Sequence, residues 1–393
     1  MPASSKFRLT AGALVVALGS YAVLATGLER AAFWAETSFA AYPYRGGEEP
    51  IRWLMPTISG RRRPRVMIAG PSAVGEDLRY EELVPAVAGR VVPGALSNGT
   101  LDDVTLGLEY LERAFGADAL PEYVVLGMTM RVLANYPRNF GPGRDPEAYA
   151  PLIETINRYS TGYSVETGLF GTHLRRKSFP ERLTARLHWF TKQQTRNRTA
   201  VLAALEYVID PDPLKIGFQD GLPYFADLRA PLSRQDGLTM LRYARSVGLT
   251  TALWHWLPAY RSAYYHTFMA PVPESTVIEE DAGWRVVYDW DPDDEREMVH
   301  RQLGRLRQLL ERHSIGLVVI YLPEHPLSRR EYDPTRVRHY RDTIERELPQ
   351  ATIIDLWDTL TRDQFYDQIH AAHQGARIVT KIVADSLNAH GVP

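Results

Sequence analysis

Cysteine is absent from all 393 residues. Without a thiol the chain has no disulfide, no thiolate nucleophile and no cysteine-based zinc site. The absence fixes no compartment, because exported bacterial domains also manage without disulfides. An excess of charge is missing as well: 45 Lys and Arg stand against 47 Asp and Glu, a formal charge of −2. The basic residues are overwhelmingly Arg, and no nucleic-acid-binding motif occurs, so no nucleic-acid partner is expected. Low-complexity tracts and fixed-period repeats are lacking too. What remains is an ordinary globular composition, 45% hydrophobic and 23% charged, long enough for one large or two medium domains.

One run lacks charge altogether. Leu9 to Leu28, LTAGALVVALGSYAVLATGL, has the length that a helix needs to cross a bilayer. Lys6, Arg8 and the terminal amine precede it, while Glu29 and Arg30 nearly cancel after it, so the positive-inside bias puts residues 1–8 in the cytoplasm and the rest outside. The apolar core is longer than that of a secretory signal, and Ala25-Thr26-Gly27 is a poor cleavage site. An uncleaved single-pass transmembrane anchor over 9–28 is therefore expected. Residues 29–63 read as a juxtamembrane linker, broken by Gly46, Gly47, Pro50 and Pro56. Its aromatic residues, from Phe33 to Trp53, fit either a membrane interface or a local hydrophobic cluster. Arg61-Arg62-Arg63 fits either a solvated linker or a contact to lipid headgroups.

From residue 64 the pattern alternates. Val66 to Ala69 is a strand that stops at Gly70 before a helix-permissive segment, giving strand, tight turn and helix. Arg90–Val92, Tyr123–Gly127, Leu317–Leu322 and Ala351–Leu356 read as further strands. Leu101–Phe115, Asp294–His313 and Gly375–Leu387 carry apolar residues at helical spacing. Such alternation predicts an α/β fold with a parallel sheet covered on both faces. The segment of about 128–292 breaks the rhythm and reads as an insertion, with helices near 178–209 and 234–247 and the aromatic stretch Leu253 to His266.

Ser72 sits on the strand-to-helix turn, above the carboxyl end of a parallel strand, where open α/β sheets bind ligands. It fits a nucleophile or a plain helix cap. At the far end, Asp367 and His370 stand three apart in FYDQIHAAHQGARIVTKIVADSL, where the carboxylate can orient the imidazole, or the pair can form a surface turn before the last helix.

With Gly70-Pro71-Ser72, SNGTLDD over 97–103 and this D-x-x-H, the two ends of the soluble part resemble the SGNH (GDSL-like) hydrolase superfamily. The resemblance implies a three-layer αβα flavodoxin-like sheet, a catalytic triad of Ser72, His370 and Asp367, and an oxyanion hole from the Ser72 N–H, the Gly99 N–H and an asparagine. At that third position this chain has Thr129, in Gly127-Met128-Thr129-Met130, and one oxyanion donor is worth about 10²- to 10³-fold in rate. Asn98 is a possible stand-in, and His373 is a lesser alternative to His370. His255, His266 and His325 lack strict ligand spacing, so packing or hydrogen-bonding roles are expected, with no metal and no cofactor. Asp355 ends the last strand and is read as supporting the site.

An anchor joined to such a domain is similar to the tethered proteins that work beside membrane-bound O-acyltransferases. Two readings follow. One is an exported esterase or O-acyltransferase of the bacterial cytoplasmic membrane, acting on an envelope glycan. The other is a catalytically reduced subunit of a membrane protein complex.

Overall fold

The structure is a computed structural model. It describes residues 66–78, 83, 86–87, 91–96, 99–129, 151–168, 171–191, 292–365 and 368–392, with isolated positions at 16, 19, 20, 23 and 275. The chain's contacts divide it into two units, residues 1–42 with 187–254, and residues 43–186 with 255–393. The second holds the α/β fold.

Its elements run β1 (Val66–Gly70), α1 (Ser72–Asp77), β2 (Val91–Ala95), α2 (Leu101–Phe115), β3 (Tyr123–Met128), α3 (Pro151–Tyr159), β4 (Tyr163–Gly168), β5 (Gly171–Arg176), the part of a helix over 179–191 that falls in this unit (α4, 179–186), α5 (Pro292–Arg312), β6 (Gly316–Tyr321), α6 (Pro326–Glu331), α7 (Pro334–Glu347), β7 (Thr352–Asp355) and α8 (His373–Ala389). Five strands form one sheet in the order β2-β1-β3-β6-β7, and every pairing in it is parallel. That order is compatible with a flavodoxin-like sheet, in which the direction of strand addition reverses between β1 and β3.

The central strands are apolar throughout because both faces are covered. VMIAG of β1 is wholly buried, and β3 and β6 are buried at every position but the first, the mark of parallel strands under helices on two sides. Pro93 lies in β2, an edge strand, where its missing N–H costs no ladder bond. Helix α5 packs against α2 and α7, while α8 packs against α1. With right-handed crossovers, the reversal at β1 places these two groups on opposite faces.

The α/β class and the parallel sheet expected from the sequence are present, and Leu101–Phe115 has the bounds expected of it. The anchor, the linker, residues 192–274 and the aromatic stretch lie outside the described residues. Of the 9–28 run only Val16, Gly19, Ser20 and Val23 are described, all helical. Among the described residues no helix is long and apolar enough to cross a membrane.

Within the segment of about 128–292 the structure adds an antiparallel hairpin, β4 with β5. It is fastened to α2 by polar contacts that hydrophobic patterning does not display. The Thr172 N–H and hydroxyl donate to Asp102 at 3.0 and 2.7 Å, and Arg113 donates to the Leu174 carbonyl. Lys177, just past β5, donates to the carbonyls of Ile156, Asn157 and Ser160, closing the end of α3. On its other flank α2 meets Arg305 of α5, which pairs with Asp102 and Glu109 at 2.9 and 2.7 Å.

Helix α2 starts at a capping box. Thr100 accepts from the Asp103 N–H, and the Thr100 N–H donates back to the Asp103 carboxylate at 2.9 Å. Burial pushes the Asp103 carboxyl up to about 7, against the pull of the two Thr100 donors, and burial also raises Asp102 despite Arg305. A folded-state pKa above the unfolded value means the native protein keeps a proton that the unfolded chain has lost, so this contribution is full below about pH 4 and is lost as pH rises toward 7. Asp103→Asn keeps an acceptor for Thr100 and removes the titration. Thermal unfolding followed from pH 4.5 to 8 should show a shallower fall in Tm with rising pH for Asp103→Asn than for the parent; equal slopes would mean Asp103 is not the titrating group.

Candidate functional site

The turn after β1 is shaped by two glycines. Gly70 has φ +134°, in the region that favours glycine, and a Cβ there would lie 2.6 Å from the Gly127 carbonyl oxygen. A Cβ on Gly127 of β3 would lie 2.5 Å from the side chain of Val74. The bare backbone at 127 therefore lets α1 descend onto β3, and Gly70 lets the chain turn from strand into helix within one residue.

Ser72 is the outcome of that turn. The capping position of α1 is Pro71, which makes no side-chain cap, so Ser72 is the first helical residue rather than the cap. Its Oγ lies 3.0 Å from Nε2 of His370, a residue 298 positions away. For the hydroxyl to donate to Nε2, the ring proton sits on Nδ1. Both residues are partly exposed, within reach of a ligand at the carboxyl edge of the sheet, beside the reversal between β1 and β3.

The segment bearing His370 is held from several sides. Phe365 and Ala371 form an antiparallel bridge, and the Ala372 N–H donates to the Gln364 carbonyl at 2.7 Å. Gly375, in the first turn of α8, packs so tightly that a Cβ would meet the Gln364 carbonyl oxygen at 2.5 Å. The fully buried Asp77, at the end of α1, accepts the Ala371 N–H at 2.7 Å. One six-residue helix thus begins with Ser72 and ends with the carboxylate that grips the residue after His370. Nothing in the sequence marks Asp77 as buried, because it stands beside Glu76 in the charged run GEDLRYEE over 75–82.

The other expected site residues are distributed unevenly. Asp367 and Asn98 lie outside the described residues, as do His255 and His266. Gly99 does lie against the turn between β1 and α1, since a Cβ on it would be 2.9 Å from the Gly70 carbonyl oxygen. Its N–H, however, donates to the Leu96 carbonyl at 2.9 Å. The donor assigned to it is engaged inside its own turn.

Thr129 follows β3, buried, and its carbonyl accepts the Tyr340 hydroxyl at 2.7 Å. Burial raises that phenol well above its ordinary pKa and keeps it a neutral donor. His373 is the first residue of α8.

Two further expectations resolve clearly. His325 is buried, accepts the Leu327 N–H at Nδ1 and meets Phe365 edge-on, a packing and hydrogen-bonding role. Asp355 is paired with Arg341 at 2.8 Å and accepts the Trp357 N–H, so it braces α7 against the end of β7 instead of supporting Ser72.

No protein-family model matches the chain, and no curated protein matches it. The class that fold and geometry define is an open parallel α/β domain with a serine and histidine in hydrogen-bond contact at the carboxyl edge of its sheet.

Two substitutions separate packing from positioning. Gly127→Ala forces Val74 and α1 off β3 and should cost about 1–3 kcal/mol, read as a lower midpoint in urea unfolding; an unchanged midpoint would show that α1 is free to shift. Asp77→Ala should reduce the reactivity of Ser72 toward a fluorophosphonate probe several-fold, with Asp77→Asn, which retains an acceptor, recovering most of it. Equal labelling of the Ala and Asn variants would show that the contact to Ala371 does not set the site.

Proposed function

We propose that this chain is a membrane-anchored SGNH-like serine esterase or O-acyltransferase, working outside the cytoplasmic membrane on an ester of an envelope glycan. The observation that carries the reading is the 3.0 Å contact of Ser72 Oγ with His370 Nε2 at the carboxyl edge of the parallel sheet. The hydroxyl proton passes to Nε2 as Oγ attacks the acyl carbon, and the tetrahedral intermediate collapses when the leaving alkoxide takes that proton from the imidazolium. Water or a sugar hydroxyl then attacks the acyl-serine by the same route, giving hydrolysis or transfer. Asp367 is assigned to the Nδ1 proton by the D-x-x-H spacing, and the Ser72 N–H to the oxyanion. The Leu9–Leu28 run is the anchor, and a membrane-bound O-acyltransferase is the kind of partner that would supply acyl groups beside it. No metal or cofactor enters this route.

A second reading has its own support. The Gly99 N–H is engaged with Leu96 and Thr129 stands where an asparagine amide is expected, which together favour a reduced SGNH-like fold serving as a subunit of a membrane complex. The loss of one donor alone removes about 10²- to 10³-fold in rate.

Hydrolysis of p-nitrophenyl acetate by the detergent-solubilised chain decides between them. For the enzyme, Ser72→Ala falls to background, His370→Ala falls nearly as far, and the double variant is no slower than the worse single one, because residues acting as a unit do not lose activity additively. Rates indistinguishable between parent and Ser72→Ala would leave the subunit reading standing.

A further inference from the structure

The carboxyl edge of the sheet continues past Ser72. With β1, β3, β6 and β7 side by side, the end of β7 lies three strand spacings, about 14 Å, along that edge from the end of β1. There the chain reads Asp355-Leu356-Trp357. Leu356 is buried, while Asp355 is exposed and Trp357 partly so. An acid and an indole thus reach the surface together, on an edge where open α/β sheets take ligands.

Each of these groups is held in place. Arg341 of α7 grips the Asp355 carboxylate with both arms, at 2.8 Å to Oδ2 and 3.1 Å to Oδ1. Its guanidinium lies 5.1 Å from the centre of the Tyr321 ring and 5.6 Å from that of Trp357. The Trp357 N–H donates to Asp355 Oδ1 at 3.1 Å, and its carbonyl accepts the Glu324 N–H at 3.2 Å. Beside it stands the partly exposed ring of Tyr332, 5.7 Å away and tilted by 42°. Rings and carboxylate are therefore ordered before any ligand arrives, which removes part of the entropic cost of binding.

The chemistry of the group selects its ligand. Asp355 Oδ1 takes two donors and Oδ2 one, so a side chain 45% exposed keeps acceptor capacity. A lipid chain or apolar side chain laid on the rings would strip water from that carboxylate and return no hydrogen bond. A nucleotide or a uronate would bring negative charge to it, with Arg341 already engaged. A neutral sugar satisfies both parts, its C–H face against an aromatic ring and a hydroxyl donating to the carboxylate.

From this we infer that Trp357, Tyr332 and Asp355 form a subsite for a neutral sugar unit, with Arg341 and Tyr321 as its support. A separation of about 14 Å from the Ser72 turn is too long for one sugar to bridge and suits a chain of them lying along the edge, its ester at Ser72 and a remote unit on Trp357. The inference deepens the glycan-ester reading, on which it rests only for the link to Ser72. Binding far from the reacting bond holds the ester in place without contacting it.

The test is binding, which needs no turnover. The full chain in detergent is titrated calorimetrically with cellohexaose, with N-acetylchitohexaose and with the anionic polymannuronate. At least one of the two neutral chains should bind, more tightly than polymannuronate does. Trp357→Ala should weaken that binding about tenfold, whereas Trp357→Phe, which keeps a ring, should retain most of it. Tyr332→Ala, away from the Asp355–Arg341 pair, is the second variant should Trp357→Ala fail to fold, and it should weaken binding several-fold. Failure to bind either neutral chain overturns the subsite, as does equal affinity in parent and ring-deleted variants or a preference for polymannuronate. A chain that binds the sugar yet leaves p-nitrophenyl acetate intact sinks the esterase reading alone; one that hydrolyses the ester and binds neither sugar sinks the subsite alone.

Discussion

Val74 resting on the bare backbone of Gly127 is the contact on which the candidate site depends. Parallel strands leave their helices about a side chain's width away, and this helix sits closer because the strand beneath offers no Cβ. The approach fixes the height of α1 above β3. With Gly70 turning the chain at φ +134°, it determines where Ser72 Oγ points. The price is two positions that accept no other residue without displacement of backbone or core.

The same short helix also governs the histidine. Asp77 closes α1 and takes the N–H of Ala371, while the Phe365–Ala371 bridge and the Ala372 bond to Gln364 pinch the segment from behind. Ser72 and His370 are therefore referenced to one rigid piece, and not to each other through the width of the sheet. This geometry suits proton transfer, which needs heavy atoms within about 3 Å. An anion beside Ser72 would gain nothing from the Gly99 N–H, since the turn that carries it uses that N–H for its own closure. A buried carboxylate such as Asp77 is costly to desolvate, and it is placed where its acceptor has a structural task.

Legibility followed solvent. The strands VMIAG, YVVLGM and GLVVIY are covered on both faces, so their apolar runs announced a parallel sheet, and Leu101–Phe115 showed its helical stripe plainly. Helix α7, PTRVRHYRDTIERE, buries only Tyr340, Thr343 and Ile344 and went unseen because most of it faces water. The β4–β5 hairpin was hidden for another reason: it is held by Asp102, Arg113 and Lys177, and hydrogen-bond geometry leaves no periodic trace. Ser72 and His370 were found by motif, which the fold then juxtaposed. The Gly99 N–H could not be judged from sequence, because whether an amide is free or spent depends on one turn's backbone. Asp355 was misread for a similar reason, its neighbour Arg341 being far from it in pattern though adjacent in space.

The separation of 298 residues between Ser72 and His370 has a consequence in time. A chain synthesised from its amino end presents the serine early, and every pairing of the five-stranded sheet is non-local, so the sheet is slow to close. Until the segment after β7 is in place, Ser72 has no imidazole beside it. The Ser72–His370 contact is thus among the last to form, after the rest of the sheet is complete.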